Sequence, residues 1–388
     1  MIKKDKLVCI KCKGNNGPPV VLIRKDLPSL CRTCFLASCV HKFRSGFGKA
    51  NIVKDGESVA LGFSGGASSL AMLFLAKMCQ EDTRQLRFRP TVICLYGMAL
   101  FQKFLCLFML SLLNTTIIDE DKPYPSEQEL LMKQSGFEYH IVRTDQISSD
   151  LNLPNIDASK RMSNSVLTAA EEVTRWSRLD QLKTYTSNTL GFKYLMVGSN
   201  ASQLAANCLS GIAQARGGSI ATELGFADTR YDDLTILRPM CTFLSKEIAL
   251  LLRFCNLEPL NNPCLSTQQN LKYGSSVNSI QRLTQDFLCS LQFGGFPSTT
   301  TAILSSASKT LSEDTGVSCR CTVCKAPLKP ASGNGATAEA AFEFSALISK
   351  NAKMNYASTK ESSPSEQSSS LCTSCSINLT ELEGSLCN

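Results

Sequence analysis

The sequence predicts an α/β fold, a parallel sheet covered on both faces by helices. Two observations carry this reading. From about Glu57 to Phe296, short strand-like apolar runs alternate with helical ones, and strands separated by helices pair in parallel because each crossover returns the chain in the same direction. A Gly/Ser loop lies between the first strand and the first helix of that series. Backbone N–H groups at a helix N-terminus bind phosphate well at such a place.

Ser58 to Phe63 is the first expected strand, and Ser69 to Cys79 the helix after the loop, with Leu70, Met72, Leu73, Leu75 and Ala76 on its apolar face. Further strands are expected at Val92–Leu95, Tyr139–Val142, Tyr194–Val197 and Leu234–Leu237, the last ended by Arg238-Pro239. Helices are expected over about Ala158–Leu190, Ser202–Ala213, Leu244–Phe254 and Ser276–Leu291. Three regions follow. Residues 1–50 form a cysteine-bearing module, 51–300 the α/β body, and 301–388 a tail of Ser, Thr, Ala and Gly whose segment Ser358–Ser370 has the composition of a flexible linker.

A chain of 388 residues with 43% hydrophobic residues can bury one large core or two modest ones. Its net charge of +7 is compatible with a polyanionic partner without requiring one. The start, Met1-Ile2-Lys3-Lys4-Asp5-Lys6, is charged and has no apolar run of the signal-peptide kind after it. With 19 cysteines and only His41 and His140 as histidines, reduced thiols, metal ligands or sulfur chemistry are expected rather than disulfides. Residues 92–118 are long and apolar enough for a membrane span. Lys103 would then sit mid-span at high cost, so the favoured reading is a buried strand followed by an insertion at 97–116, with no membrane partner.

Cys9-x-x-Cys12 precedes Cys31-x-x-Cys34 by a gap of eighteen residues. Two such knuckles bring four thiolates onto a tetrahedral zinc, and Gly14 and Gly17 suit the tight turns between them. A zinc ribbon is the expectation. A four-thiolate iron–sulfur cluster is the alternative, since spacing alone does not fix the metal. A second set, Cys321-x-x-Cys324 and Cys372-x-x-Cys375, spans the Ser-rich stretch. Metal closure of so long a loop is feasible because closure entropy grows only logarithmically with length. Cys319 and Cys387 are spare, and the competing reading is an unstructured tail with reactive thiols.

The loop Ser64-Gly65-Gly66-Ala67-Ser68-Ser69 lacks the Gly-Lys-Ser/Thr ending of a Walker A loop. It resembles the pyrophosphate loop (PP-loop) of the N-type ATP pyrophosphatases, Ser-Gly-Gly-x-Asp-Ser. That resemblance implies a Rossmann-like parallel sheet and an ancestry of adenylating a carbonyl oxygen before a nucleophile replaces it. Ser68 stands where the family has Asp, and Ala67 where thiolases of the type often carry Lys. Without that Lys to offset phosphate charge and that Asp to help hold nucleotide and Mg²⁺, the loop reads as a retained fold element more readily than as a working ATPase. Both readings stay open.

The order of features is similar to one family. Cys9-Ile-Lys-Cys12, Cys31-Arg-Thr-Cys34-Phe35, Val40-His41-Lys42-Phe43-Arg44, the loop at 63–69, Gly225-Phe-Ala-Asp228, Leu237-Arg238-Pro239-Met240 and the final cysteine pair followed by Ile377-Asn378-Leu379-Thr380 resemble the cytoplasmic tRNA 2-thiolation protein 2 family. The resemblance implies a non-catalytic subunit paired with a catalytic PP-loop subunit. It also implies a cytoplasmic location, a thiocarboxylated ubiquitin-related modifier as sulfur donor, and uridine 34 of lysine, glutamine and glutamate tRNAs as target. An autonomous ATP-dependent sulfurtransferase and a zinc-ribbon RNA-binding protein are the other two readings.

His41, Lys42, Arg44 and Lys49, interleaved with Phe43 and Phe47, suit phosphate contact and base stacking. They suit equally an amphipathic helix joining ribbon to body. Arg84, Arg87 and Arg89 read as a solvated helix end, and Cys208 and His140 as structural. Cys208 and Cys264 are the two candidates for a sulfur-bearing thiol, and Cys264, in a loop after Pro263, is the less clearly structural of them. Asp228, Asp232 and Asp233 read as a turn of solvated acids rather than a magnesium site.

Overall fold

The computed structural model describes residues 8–23, 29–82, 88–96, 126–147, 164–260, 279–296, 298–309, 319–328 and 370–387. The expected insertion at 97–116, Arg84, Arg87, Cys264 and nearly all of the Ser-rich linker fall outside these residues.

Six strands form one sheet in the order β3-β2-β1-β4-β6-β5. They are β1 (Ser58–Gly62), β2 (Arg89–Tyr96), β3 (Glu138–Arg143), β4 (Tyr194–Met196), β5 (Ala227–Asp228) and β6 (Thr235–Leu237). Every pairing is parallel except β5 with β6. The parallel sheet read from the sequence is present, with β5 added antiparallel at one edge. A two-residue strand carries too few residues for a period-2 signal, and Asp228 occupies one of its two positions.

Alternation along each central strand divides the core. Val59, Leu61, Val92, Cys94, Met196 and Leu237 face one layer, while Ala60, Ile93, Leu195 and Ile236 face the other. On the first face pack the helices α1 (Arg32–Ala50), α2 (Ala67–Glu81) and α7 (Ser245–Cys255), with α3 (Ser126–Ser135) beside α2. The second face receives Leu179, Leu182 and Tyr185 from the end of α4 (Asn164–Thr184) and the wider turn that follows it. Strands buried on both faces are near-continuous apolar runs, which made β1, β2 and β4 visible in the sequence.

Beyond β4 lie α5 (Ala201–Ala213) and α6 (Gly217–Leu224). After the sheet come α8 (Ile280–Phe293), α9 (Thr299–Ser308) and α10 (Thr373–Cys387). α8 and α9 pack on α5, so α9 crosses the boundary expected near residue 300 without a break. Among the described residues, no helix is long and apolar enough to cross a membrane.

Candidate functional site

The sheet order reverses between β1 and β4, each parallel neighbour leading outward to opposite edges. At such a switch point the loops after the two strands open a crevice for ligands. Here they are Phe63–Gly66 and Val197–Asn200. Gly65 takes φ +78°, in the left-handed region that glycine enters freely. Gly66 then starts α2 with no side-chain cap on the first-turn N–H groups. The Ser69 hydroxyl donates to the Gly66 carbonyl at 3.0 Å and lies 3.1 Å from Ser64 Oγ. A Cβ at Gly198 would come within 2.9 Å of the Ser69 backbone, so glycine is needed for β4's loop to reach α2. Asn200, which caps α5, donates through Nδ2 to Ser68 Oγ at 2.7 Å. The residue in place of the pyrophosphatase Asp therefore ties the two loops together. From above, the Leu260 N–H donates to the Gly65 carbonyl at 2.9 Å, and its side chain packs where a Gly65 Cβ would be.

Both cysteine sets converge. The sulfurs of Cys9, Cys12, Cys31 and Cys34 lie within 4.8 Å of one another, as do those of Cys321, Cys324, Cys372 and Cys375. Zinc–sulfur bonds of about 2.3 Å in a tetrahedron give sulfur–sulfur edges of about 3.8 Å. The Cys12–Cys31 pair is at 3.8 Å and Cys324–Cys372 at 3.5 Å. A four-iron cubane puts each thiolate on a different iron and spreads the sulfurs further than one ion does. Both groups can thus hold a single tetrahedral ion.

The two nodes share a local design. In each, the lysine after the first pair adopts positive φ (Lys13 at 50°, Lys325 at 55°), and its N–H donates to the carbonyl of the first cysteine. In each, the second pair straddles a helix start. Cys31 caps α1, its sulfur accepting from Cys34 N, and α10 begins after Cys372. A helix N-terminus favours thiolate. Backbone N–H donation, chiefly from Cys12, lowers Cys9 to about 6, while hydrogen bonding with the Cys31 side chain raises Cys34 to about 12. Bonding from the Cys324, Cys372 and Cys375 thiols likewise draws Cys321 far down. Cys39, Cys79 and Cys94 sit in the core, where burial pushes the first two up to about 12 and the third to about 11. Cys208 is also buried and raised, which leaves it a packing residue.

The second node is no loose tail. Cys321, Cys324 and Cys375 share a buried cluster with Ala169, Ala170, Val173 and Trp176 of α4. The reading of a tail of reactive thiols does not hold for the described residues, because three of those four thiols are buried.

The basic segment has a different role from base stacking. Phe43 and Phe47 are buried; Phe47 stacks on Phe88 and meets Phe226 edge-on. Lys42 pairs with Glu247 at 2.8 Å and lies over the Phe243 ring, and Arg44 pairs with Asp82 at 2.7 Å. This is the amphipathic-helix reading, with α1 clamping the first node to α7 and α2. His41 and Lys49 are exposed on α1. His140 on β3 meets Tyr185 Oη at 3.3 Å, in a half-buried pair.

Sequence reasoning missed a buried ion network. Asp228 is fully buried rather than solvated, and receives two bonds from the Arg230 guanidinium, at 2.9 and 2.8 Å, and one from Arg238 at 3.0 Å. Arg230 also reaches Glu223 and the Cys324 carbonyl. Glu172 pairs with Arg175 and Arg216. Burial alone would raise Glu223, but Arg216, Arg175 and Arg230 hold it well below the usual carboxylate range. Glu171 goes the other way: burial lifts it to about 7, only partly offset by the Ser279 hydroxyl. A carboxyl raised on folding contributes stability below its unfolded pKa, and that contribution is lost as pH rises through 7. Glu171→Gln is therefore expected to match wild type near pH 4 and exceed it near pH 8 by about 1–3 kcal/mol in urea unfolding.

Comparison with known proteins adds the context. A family model described as cytoplasmic tRNA 2-thiolation protein 2 matches residues 279–387. Cytoplasmic tRNA 2-thiolation protein 2-A of Xenopus laevis is 28% identical over 407 residues, covering 89% of this chain and 77% of that protein. The Bos taurus and Homo sapiens proteins of the same description are 28% and 26% identical, covering 74% and 73% of their lengths. Among solved structures, the U34-tRNA thiolase NcsA of Methanococcus maripaludis, with its [4Fe-4S] cluster, aligns over 78% of this chain and 87% of its own. Its TM-score is 0.55 at 16% identity, which is a likeness of fold.

Proposed function

We propose that this chain, which is similar to the cytoplasmic tRNA 2-thiolation protein 2 family over most of its length, serves 2-thiolation of the tRNA wobble uridine as a subunit that does not turn over ATP. The observation that carries the proposal is the loop at the switch point. It keeps the strand–loop–helix geometry of a nucleotide fold, yet Ser68 is engaged by Asn200 and Gly65 is covered by Leu260. No lysine stands in the loop to offset a triphosphate. Adenylation then belongs to a catalytic PP-loop partner in a cytoplasmic heterodimer. A thiocarboxylated ubiquitin-related modifier supplies the sulfur, and the targets are uridine 34 of lysine, glutamine and glutamate tRNAs.

The two cysteine nodes are structural zinc sites in this reading. The ion's chemistry is to fix four thiolates and with them the chain segments that carry them. The first node positions α1, through which His41 and Lys49 are presented for tRNA phosphate. The second fastens α10 onto α4.

One observation favours the autonomous enzyme instead: the uncapped first turn of α2 offers N–H groups to phosphate. ATP–pyrophosphate exchange separates the two. The isolated chain is expected to show none, and the reconstituted pair to show exchange that survives a Gly65→Ala, Gly66→Ala double substitution in this chain. Exchange by the isolated chain, lost in the double variant, would make it the adenylating enzyme.

A further inference from the structure

We propose that the hairpin of α8 and α9 is a self-association surface, occupied by the same hairpin of a second copy of this chain across a two-fold axis. Leu288 of α8 and Ile303 and Leu304 of α9 pack against Ala205, Ala206 and Leu209 of α5. The opposite faces of the two helices therefore point outward together. On α8 that outer face is apolar. Leu283 and Phe287, four residues apart and so neighbours along the helix, are 62% and 53% exposed. At the turn into α9, where Gly295 takes φ +98°, Phe293 is 92% exposed and Phe296 62%. On α9 the exposed residues are small, among them Ala302, Ser305 and Ser306.

Charge selects the class of occupant. Residues 287–308 contain no Asp, Glu, Lys, Arg or His, although 19% of the chain is charged. Arg282 and Asp286, just before them, pair with each other at 2.8 Å. Faces that take a polyanion are strongly basic, so a tRNA is a poor fit here. Loss of charge together with exposed aromatic side chains is instead the mark of the core of a protein–protein interface. In a two-fold contact each patch meets its own copy, so a charged patch would face like charges and this one faces none. With a net charge of +7 on each chain, an uncharged face is where two copies meet at least electrostatic cost.

Area and shape agree with a second copy. At their exposures the four large side chains offer on the order of 500 Å² of apolar surface. A stable interface needs about 800 Å² from each partner, so these four supply more than half and the hydroxyl-bearing rim of the hairpin has only to add the rest. The hairpin also carries both halves of a fit, large side chains on α8 and small ones on α9, so the phenylalanines of each copy can seat on the α9 face of the other. The pairing does not rest on the function proposed above. With a catalytic partner on another face, the assembly would hold two copies of each chain.

Sedimentation velocity on the full-length chain tests this. Wild type is expected to run at twice the chain mass at about 10 μM. Phe293→Asp with Phe296→Asp sets carboxylates against each other across the axis and is expected to weaken the pairing at least about hundredfold, leaving a monomer. Ala302→Arg, on the small-residue face of α9, is expected to do the same. Both variants should keep the circular dichroism and the Trp176 emission of wild type, because the altered residues are exposed. A monomeric wild type would overturn the proposal, including the case in which the Phe293, Phe296 variant then loses tRNA or the catalytic partner and so gives the face to that occupant. A dimer that persists in either folded variant would overturn it as well.

Discussion

Replacing Cys375 by serine is expected to remove one of two bound metal ions per chain and to loosen the C-terminal node from the body. Elemental mass spectrometry of the purified protein should fall from about two equivalents, one for each four-thiolate group, to about one. The effect should be large because structural zinc contributes about 10–16 kcal/mol of apparent binding energy to the fold that presents its ligands. Loss of more than about 3 kcal/mol in urea unfolding is expected, beyond the usual range for a point substitution. The chain's single tryptophan, Trp176, reports the change directly, since it packs in the same cluster as Cys321, Cys324 and Cys375. Its emission should shift to the red as α10 leaves α4. Cys319→Ser is the control: Cys319 is exposed and outside the node, and its variant should keep both ions. Unchanged metal content in the Cys375 variant would contradict the assignment.

Asp228→Asn is the second substitution of large effect. The carboxylate balances Arg230 and Arg238, both less than a tenth exposed. Removing one partner of a buried ion pair leaves the other charge uncompensated, at a cost of about 3–5 kcal/mol. The effect has a pH signature. Burial raises the Asp228 carboxyl but Arg230 and Arg238 outweigh it, so its folded pKa lies below the unfolded one. Such a group contributes stability above the unfolded pKa and loses it as pH falls through the folded one. The variant should therefore be much weaker than wild type at neutral pH and converge on it in acid. Because Arg230 also holds the Cys324 carbonyl, the same substitution should loosen the second cysteine node. A loss below about 1 kcal/mol at neutral pH would show that the network is not structural.

The parts legible in the sequence were those with a local signal. β1, β2 and β4 read as short apolar runs, and α2, α5 and α7 fell within two residues of their expected bounds. The cysteine spacings named both groups of four thiols that converge in the fold and could hold a metal. In α1 the signal was present but left RNA contact and an amphipathic helix equally open. Phe35, Cys39, Val40, Phe43 and Phe47 recur at helical spacing and form its buried face, so the aromatic residues were committed to the core before any RNA could use them. The ion network gave no local signal. Glu172, Arg216, Glu223, Asp228 and Arg238 are scattered over four elements and the turns beside them, and each alone looks like a solvated charge; only the fold brings them together. The substitution at Ser68 was visible, but its role was not, because Asn200 lies far along the chain.

The most direct test of the account is the 2-thiouridine content of bulk tRNA, measured by mass spectrometry after deletion of the gene and after its return as wild type or as the Gly65→Ala, Gly66→Ala double variant. The account predicts that 2-thiouridine disappears on deletion and is restored by both forms, the variant included, because the loop is a fold element rather than an ATP site. Persistence of 2-thiouridine without the gene would contradict the thiolation role. Failure of a folded, partner-bound double variant to restore it would contradict the assignment of ATP turnover to the partner.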